Sequence, residues 1–406
     1  MPRKRLAACA QAFIAFLALA FVLCSPLPAD AYQLIGQTSE EEKLTRGATL
    51  LTVHLKTGDG PINVYVVKAD LTDPYLKVDT IVGATGTLDK NQAVSAMAGR
   101  AGAVAAVNGD FFQMNDSGRP IGLLYQGGRL FASPALRTDM FGLALTKDKT
   151  PVIDIFGFSG QLKAQNGKTF PIAGINKPNY LVMSEQSSDK DSLQMYTPLW
   201  GSTSRGKLSH LSGVVEVVVQ GGVVRQVLTD RPGVPIPPDG FVLQGHGQAA
   251  KFLLENCPAG TKVEASYSVT PAGDKLFAAV GGQALLVEDG HLPAYFSQNI
   301  SGNHARTAAG FSKDGKTFYL VAVEKAVLPD GTVVSRGMSQ EELASYLISL
   351  GVWRAVNLDG GGSTTLAARH TGDFSPELVN RPQNGSQRPV PDAVGIFSTA
   401  PAGTLA

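Results

Sequence analysis

Ala355-Val-Asn-Leu-Asp-Gly-Gly-Gly-Ser-Thr-Thr-Leu366 is the stretch around which the chain is organised. The apolar run from Val352 to Leu358 reads as a buried strand, and it ends in one carboxylate, three glycines and three hydroxyls. Three glycines in a row cost backbone entropy on ordering, so packing alone does not account for them. They permit positive φ angles and let another group approach bare amide N–H groups, which turned inward in succession form an anion-binding nest. Asp359, the amides of Gly360, Gly361 and Gly362, and the donors Ser363 and Thr364 therefore make a candidate site for phosphate or sugar oxygens. The plainer alternative is a tight turn between two strands.

A second stretch, Ala103-Val-Ala-Ala-Val-Asn-Gly-Asp-Phe-Phe112, repeats the pattern of a short apolar strand running into polar residues. Ala106-Val-Asn-Gly-Asp110 and Ala355-Val-Asn-Leu-Asp359 share Ala-Val-Asn-x-Asp, too little to establish duplication. If the two strands are neighbours in one sheet, Asn108, Asp110, Asn357 and Asp359 gather at one end, and paired carboxylates are what general acid/base chemistry needs. A hairpin turn at Asn108-Gly109 is the competing explanation.

Each stretch comes after a helix in the sequence. Asp89 with Gln92 three residues on suggests a capping box; Val94, Met97, Ala98 and Ala101 keep helical spacing, and Gly102 ends the run. Gly337 to Gly351 carries a stronger signal: Ser339 caps, Glu342 completes the box, and Leu343, Leu347 and Leu350 form the buried stripe. Capping explains most of Glu342. Elsewhere the chain reads as strands. Leu50–Lys56 and Ile62–Ala69 form a hairpin around Thr57–Pro61, Tyr75–Val82 is a third strand, and Val280–Gly290 is a hairpin. Residues 140–275 are a long strand-rich section, clearest in the pair Val214–Val219 and Val223–Leu228. Ser184–Ser192 reads as a surface loop. Thr307–Phe311 and Phe318–Val323 come next, and Arg388–Phe397 closes the chain as a strand. The fold class expected is α+β, a strand-rich mixed or antiparallel sheet core with a few packed helices.

The first 31 residues read as an address: basic Arg3, Lys4 and Arg5, an apolar run from Phe13 to Leu23, and Ala29-Asp30-Ala31 as the cleavage signal. The chain is expected to be exported, with no stable membrane insertion after cleavage, since no later segment has about twenty uninterrupted apolar residues. Residues 32–49 are polar and read as a lead-in, 50–398 as one large domain, and 399–406 as a frayed tail. Without the leader the chain carries 32 basic and 33 acidic residues with no basic block, which argues against a nucleic-acid partner. Cys257 then stands alone, so no internal disulfide supports the fold. The six histidines lack metal-ligand spacing, leaving the metal unknown: no cofactor is required, and a divalent cation is compatible. His246, between two glycines, and His304 are secondary candidates, as is Arg388. Arg306, with Thr307 next to it, can clamp a phosphate bidentately or form a surface salt bridge.

Asn108-Gly-Asp-Phe-Phe112, Arg306-Thr-Ala-Ala-Gly310, the Gly337–Gly351 helix and Asn357-Leu-Asp-Gly-Gly-Gly-Ser-Thr-Thr365, in this order, resemble the phosphodiester glycosidase domain family. The resemblance runs from about Ile62 to Phe397. It implies hydrolysis of a sugar-1-phosphodiester of N-acetylglucosamine type, here in wall or extracellular phosphoglycans. Asp359 is the expected working carboxylate, Asp110 the second, and Asn108 orients the substrate; Arg306, Thr307, the three glycines, Ser363 and Thr364 hold the phosphate. A phosphodiesterase cleaving the P–O bond and a non-catalytic wall-polysaccharide binding module are the alternatives. The oligomeric state is unreadable from the sequence.

Overall fold

Alternate residues of the central strands go to two different cores. In the computed structural model, which describes residues 32–114, 117–177 and 190–401, the strand Gly60–Asp70 sends Tyr65, Val67 and Ala69 to one side and Val64 and Val66 to the other. Thr317–Val323 does the same, with Phe318, Leu320 and Ala322 opposite Tyr319, Val321 and Val323. A sheet buried on both faces has no polar face, which is why these strands read as nearly continuous apolar runs.

These strands belong to a seven-stranded antiparallel sheet in the order Leu34–Thr45, Ala48–Thr57, Gly60–Asp70, Thr317–Val323, Arg306–Ser312, Val352–Asn357 and Leu285–Val287. A five-stranded antiparallel sheet packs on one face, in the order Glu377–Leu378, Leu366–Ala368, Ala105–Asn108, Asp392–Ser398 and Leu76–Val82. Val107, Leu366, Val394 and Ile396 meet Val67, Leu320 and Val356 in the shared core. The helix Gln340–Ser349 covers the far face of the larger sheet through Leu343, Ala344 and Leu347. The helix Val94–Ala101 covers the far face of the smaller one through Val94, Met97 and Ala98. The result is helix, sheet, sheet, helix.

The middle section forms further sheets. Val215–Gln220, Val223–Thr229, Gly240–Gly245 and Leu193–Tyr196 pack under the helix Gln248–Asn256 with a core of their own, into which Cys257 is buried. Leu276–Gly281, with Leu124–Gln126 and Gly142–Thr146 on its flanks, leads the chain back to the sandwich.

Several expectations stand and others change. The hairpins Ala48–Thr57/Gly60–Asp70 and Val215–Gln220/Val223–Thr229 are formed, and Ser339 and Glu342 make the full capping box. Strands take 46% of the described residues and helices 8%, so the fold is mostly β, and "a few packed helices" overstates the three short ones among them. Among the described residues the pairing is antiparallel except for Gly174–Ile175 beside Gln194 and Met195. The supposed lead-in is an edge strand, Leu34–Thr45; most of its side chains stay in water, so it leaves no apolar signature. Asp89 does not cap: the helix begins at Val94 behind Ala93, and Asp89 accepts instead from the hydroxyls of Thr85 and Thr87. Gly102 does end that helix, at φ 71°. Val280–Gly290 is no hairpin, because Leu276–Gly281 and Leu285–Val287 lie in different sheets. Thr399, placed in the tail, is tied down: its amide donates to the Tyr75 carbonyl. The leader, most of Ser184–Ser192 and residues 402–406 lie outside the described residues. Within them, no helix is long and apolar enough to cross a membrane.

Candidate active site

The two Ala-Val-Asn-x-Asp stretches do not share a sheet. One ends a strand of the five-stranded sheet and the other a strand of the seven-stranded sheet, yet their ends meet across the sandwich. The Asp359 amide donates to the Gly109 carbonyl at 3.1 Å. Asn108 completes the clamp: its Nδ2 donates to the Asp359 carbonyl at 2.6 Å, and its Oδ1 accepts from the Thr307 hydroxyl at 2.8 Å and the Thr365 amide at 3.1 Å. Asn108 and Thr307 are wholly buried. Each amide atom of Asn108 is engaged by the protein, so this side chain ties three strands' ends together and does not face a substrate.

Asp359 itself is half-buried, at the surface end of its strand. Burial pushes its carboxyl up to about 6, against the opposing pull of the Ser363 hydroxyl, the Arg388 guanidinium and the Gly360 amide. Arg388 Nη1 donates to Ser363 Oγ at 3.1 Å, so guanidinium, hydroxyl and carboxylate form one relay. Gly362 makes room for it: a Cβ there would lie 2.5 Å from Arg388 Nη2 and 2.6 Å from Asn384 Nδ2. Arg388, Asn384, Gly360 and Gly361 keep some exposure around the carboxylate.

The glycines do not form an open nest. The Gly361 amide donates to the Ala305 carbonyl at 2.8 Å, and the Ser363 and Thr364 amides donate back to Gly360 and Gly361 in a single 3-10 turn. Thr364 is fully buried, with its hydroxyl oxygen 3.3 Å from that of Thr307. The glycines here serve close packing against Ala305 and Arg388 rather than presenting a row of free donors.

Arg306 is neither a phosphate clamp nor a surface salt bridge. It is 2% exposed, its Nε donates to Met338 O at 3.1 Å, and its Nη2 donates to the carbonyls of Ile300 and Gly302. Desolvation lowers its pKa to about 10. It thereby fixes the loop that leads into Ala305 and the glycine turn. His304 sits on the same loop, half-buried, with Nε2 2.9 Å from Ser301 O. Glu342 is spent on its capping box and on Arg336, 2.6 Å away. His246 stands apart, at the end of Gly240–Gly245 in the middle section, 3.4 Å from the Asp191 amide.

Asp110 lies deeper than Asp359. It is 1% exposed, and its Oδ2 accepts from the Gly122 amide at 2.5 Å. Beside it are two residues that the sequence had not marked. Asp392, at the start of the closing strand, is fully buried and accepts from the Asp110 amide at 2.8 Å; Lys177 is fully buried as well. Asp392 leaves a trace in the sequence, a carboxylate at the head of an apolar strand. Lys177 leaves none. Among the described residues, no three His, Cys, Asp or Glu side chains group in a way that could hold a metal ion.

A family model described as phosphodiester glycosidase matches residues 213–397. The curated N-acetylglucosamine-1-phosphodiester alpha-N-acetylglucosaminidase of Mus musculus is 33% identical over 89 residues, 22% of this chain and 16% of that protein. The chain thus matches about a sixth of that relative's length. Two solved structures share the fold. A protein from Burkholderia pseudomallei described as exported is 19% identical at a TM-score of 0.75, covering 92% of this chain and 98% of its own. A hypothetical protein from Synechocystis is 21% identical at a TM-score of 0.73, covering 89% of this chain and 64% of its own. The family match contains Asp359, Arg388 and Asp392, whereas Asn108, Asp110 and Lys177 precede it.

Proposed function

We propose that this chain, which resembles the phosphodiester glycosidase family over residues 213–397, is an exported hydrolase cleaving the sugar–oxygen bond of a sugar-1-phosphodiester. The substrate class is an N-acetylglucosamine-type phosphodiester of cell-wall or extracellular phosphoglycans. The observation that carries this reading is the partly exposed Asp359 carboxylate, backed by Ser363 and Arg388 just beyond the end of its strand.

In such a substrate the leaving group is a phosphate monoester, already a good one. The enzyme gains less from a strong general acid than an ordinary glycosidase does, and more from a cation that stabilises charge gathering on the phosphate oxygens. Arg388 is that cation, in place of Arg306. Asp359 in its carboxylate form activates water or stabilises the oxocarbenium-like centre. Asn108 and Asp110 act on Asp359 rather than on the substrate, since both are buried. A divalent cation has no assigned role, and activity is expected to persist in a chelator.

Hydrolysis of an N-acetylglucosamine-α-1-phosphodiester in oxygen-18 water by residues 32–406 tests the reading. Sugar–oxygen cleavage yields free sugar and an unlabelled phosphate monoester. Oxygen-18 in the phosphate would mean P–O cleavage and a phosphodiesterase. Retained glycan binding with no turnover, with or without divalent ions, would instead favour a binding module.

A further inference from the structure

Below Asp359 lies a set of charges to which the reaction assigns no chemical step. Lys177 Nζ donates to the carbonyls of Ile121, at 2.5 Å, and Gly122. Facing it are Asp110 and Asp392, both buried, and each keeps one carboxylate oxygen without a partner: Oδ1 of Asp110 and Oδ2 of Asp392. The approach is close enough to require glycine around it. A Cβ on Gly109 would lie 2.0 Å from Asp392 Oδ1, and one on Gly281 would lie 2.5 Å from Asp110 Oδ1. Asp110 feels the charges of Asp392 and Lys177, Lys177 those of both carboxylates, and Asp392 those of Asp359 and of Lys177. Arg388 acts on Asp359.

The charge count does not close if every group is ionised. Two carboxylates and one ammonium leave one net negative charge in a dry site, next to the further negative charge of Asp359. Like charges so placed do not all ionise; one takes up a proton. A proton taken up by either carboxyl turns one of the two orphaned oxygens into a hydroxyl donor.

We propose that Asp110 and Asp392 hold a single proton between them, forming with Lys177 a buried, electrically neutral triad that positions Asp359. The path to Asp359 is short. Asp392 receives the Asp110 amide on Oδ1 and the Gly109 amide on its main-chain carbonyl at 3.1 Å, and Gly109 in turn receives the Asp359 amide. The three are positioning residues, and Lys177 brings a segment outside the matched family region into the site's support. The role assigned to Asp359 rests on the proposed function, but the shared proton does not.

The experiment is infrared difference spectroscopy of the full mature chain in the Asp359→Asn background at about pH 6, which removes the signal of Asp359 itself. A protonated carboxylic acid band that shifts in heavy water is expected, and it should vanish in both Asp110→Asn and Asp392→Asn. Each single amide mimics the protonated acid and leaves one carboxylate for Lys177, so both variants should melt near the parent temperature. The double Asp110→Asn/Asp392→Asn protein strands the ammonium and should melt well below either. In the Asp359-containing protein, Asp392→Asn should lower kcat more than it alters KM. Absence of the acid band, its survival in both single variants, or a double variant as stable as the singles would overturn the triad. A positive spectrum together with a dead enzyme would refute the proposed reaction and leave the triad standing.

Discussion

Ala106–Asp110 and Ala355–Asp359 start from the same five-residue pattern and end with carboxylates in opposite situations. Asp110 is enclosed between the Gly122 amide, Asp392 and Lys177, whereas Asp359 keeps partial exposure beside Arg388. The difference lies in the residues immediately C-terminal to each aspartate. After Asp110 the chain continues into Phe111 and Phe112, which pack inward; after Asp359 it turns through three glycines and leaves the carboxylate at the rim. On the proposed function one corner supports and the other acts, and burial rather than motif separates the structural aspartate from the working one.

Mutation can break this comparison at several depths. The largest stability effect is expected from the double Asp110→Ala/Asp392→Ala protein, which leaves the Lys177 ammonium without a buried counter-charge and should cost about 3–5 kcal/mol in a denaturant melt. Asn108→Ala orphans the Thr365 amide and the Asp359 carbonyl, and about 1–3 kcal/mol for each buried unsatisfied group sets its scale. Arg388→Ala should leave the melt nearly unchanged and raise KM about tenfold, near 1.4 kcal/mol of phosphate binding. Arg388→Lys should recover only part of that, because an ammonium lacks the planar fork that reaches Ser363 and a phosphate together.

The pH dependences sharpen the contrast. Asp359, pushed by burial to about 6, and Asp392, raised by burial well inside the protein, hold their protons more tightly when folded than at their ordinary 3.8. Their contribution to stability is therefore full below the unfolded value and fades as pH rises through the folded ones. Thermal melts across that window should show a decline that Asp392→Asn flattens. Activity should run the other way, rising through about pH 6 as Asp359 becomes the carboxylate.

How much of this was legible in the sequence depends on the range of each interaction. Strands such as Thr317–Val323 and the Ser339–Glu342 cap are written in neighbouring residues and could be read directly. The resemblance rested on ordered motifs, and the family match bears it out. The role of Arg306 was hidden because its partners are main-chain carbonyls, which leave no mark in a sequence. The tie between Asp110 and Asp392 spans 282 residues, and no local pattern announces it. Leu34–Thr45 escaped for the opposite reason: an exposed edge strand needs no apolar face.

The measurement that bears most directly on the account sets Asp359→Asn beside Asp110→Asn, each assayed for hydrolysis of a sugar-1-phosphodiester per folded molecule. Asp359→Asn should lose about 10²–10⁴ in turnover, the range expected for a positioned acid or base, with its melt intact. Asp110→Asn should keep turnover within about tenfold of the parent protein. Equal losses in the two, or a folded Asp110→Asn protein more impaired than Asp359→Asn, would contradict the division between a supporting corner and a working one.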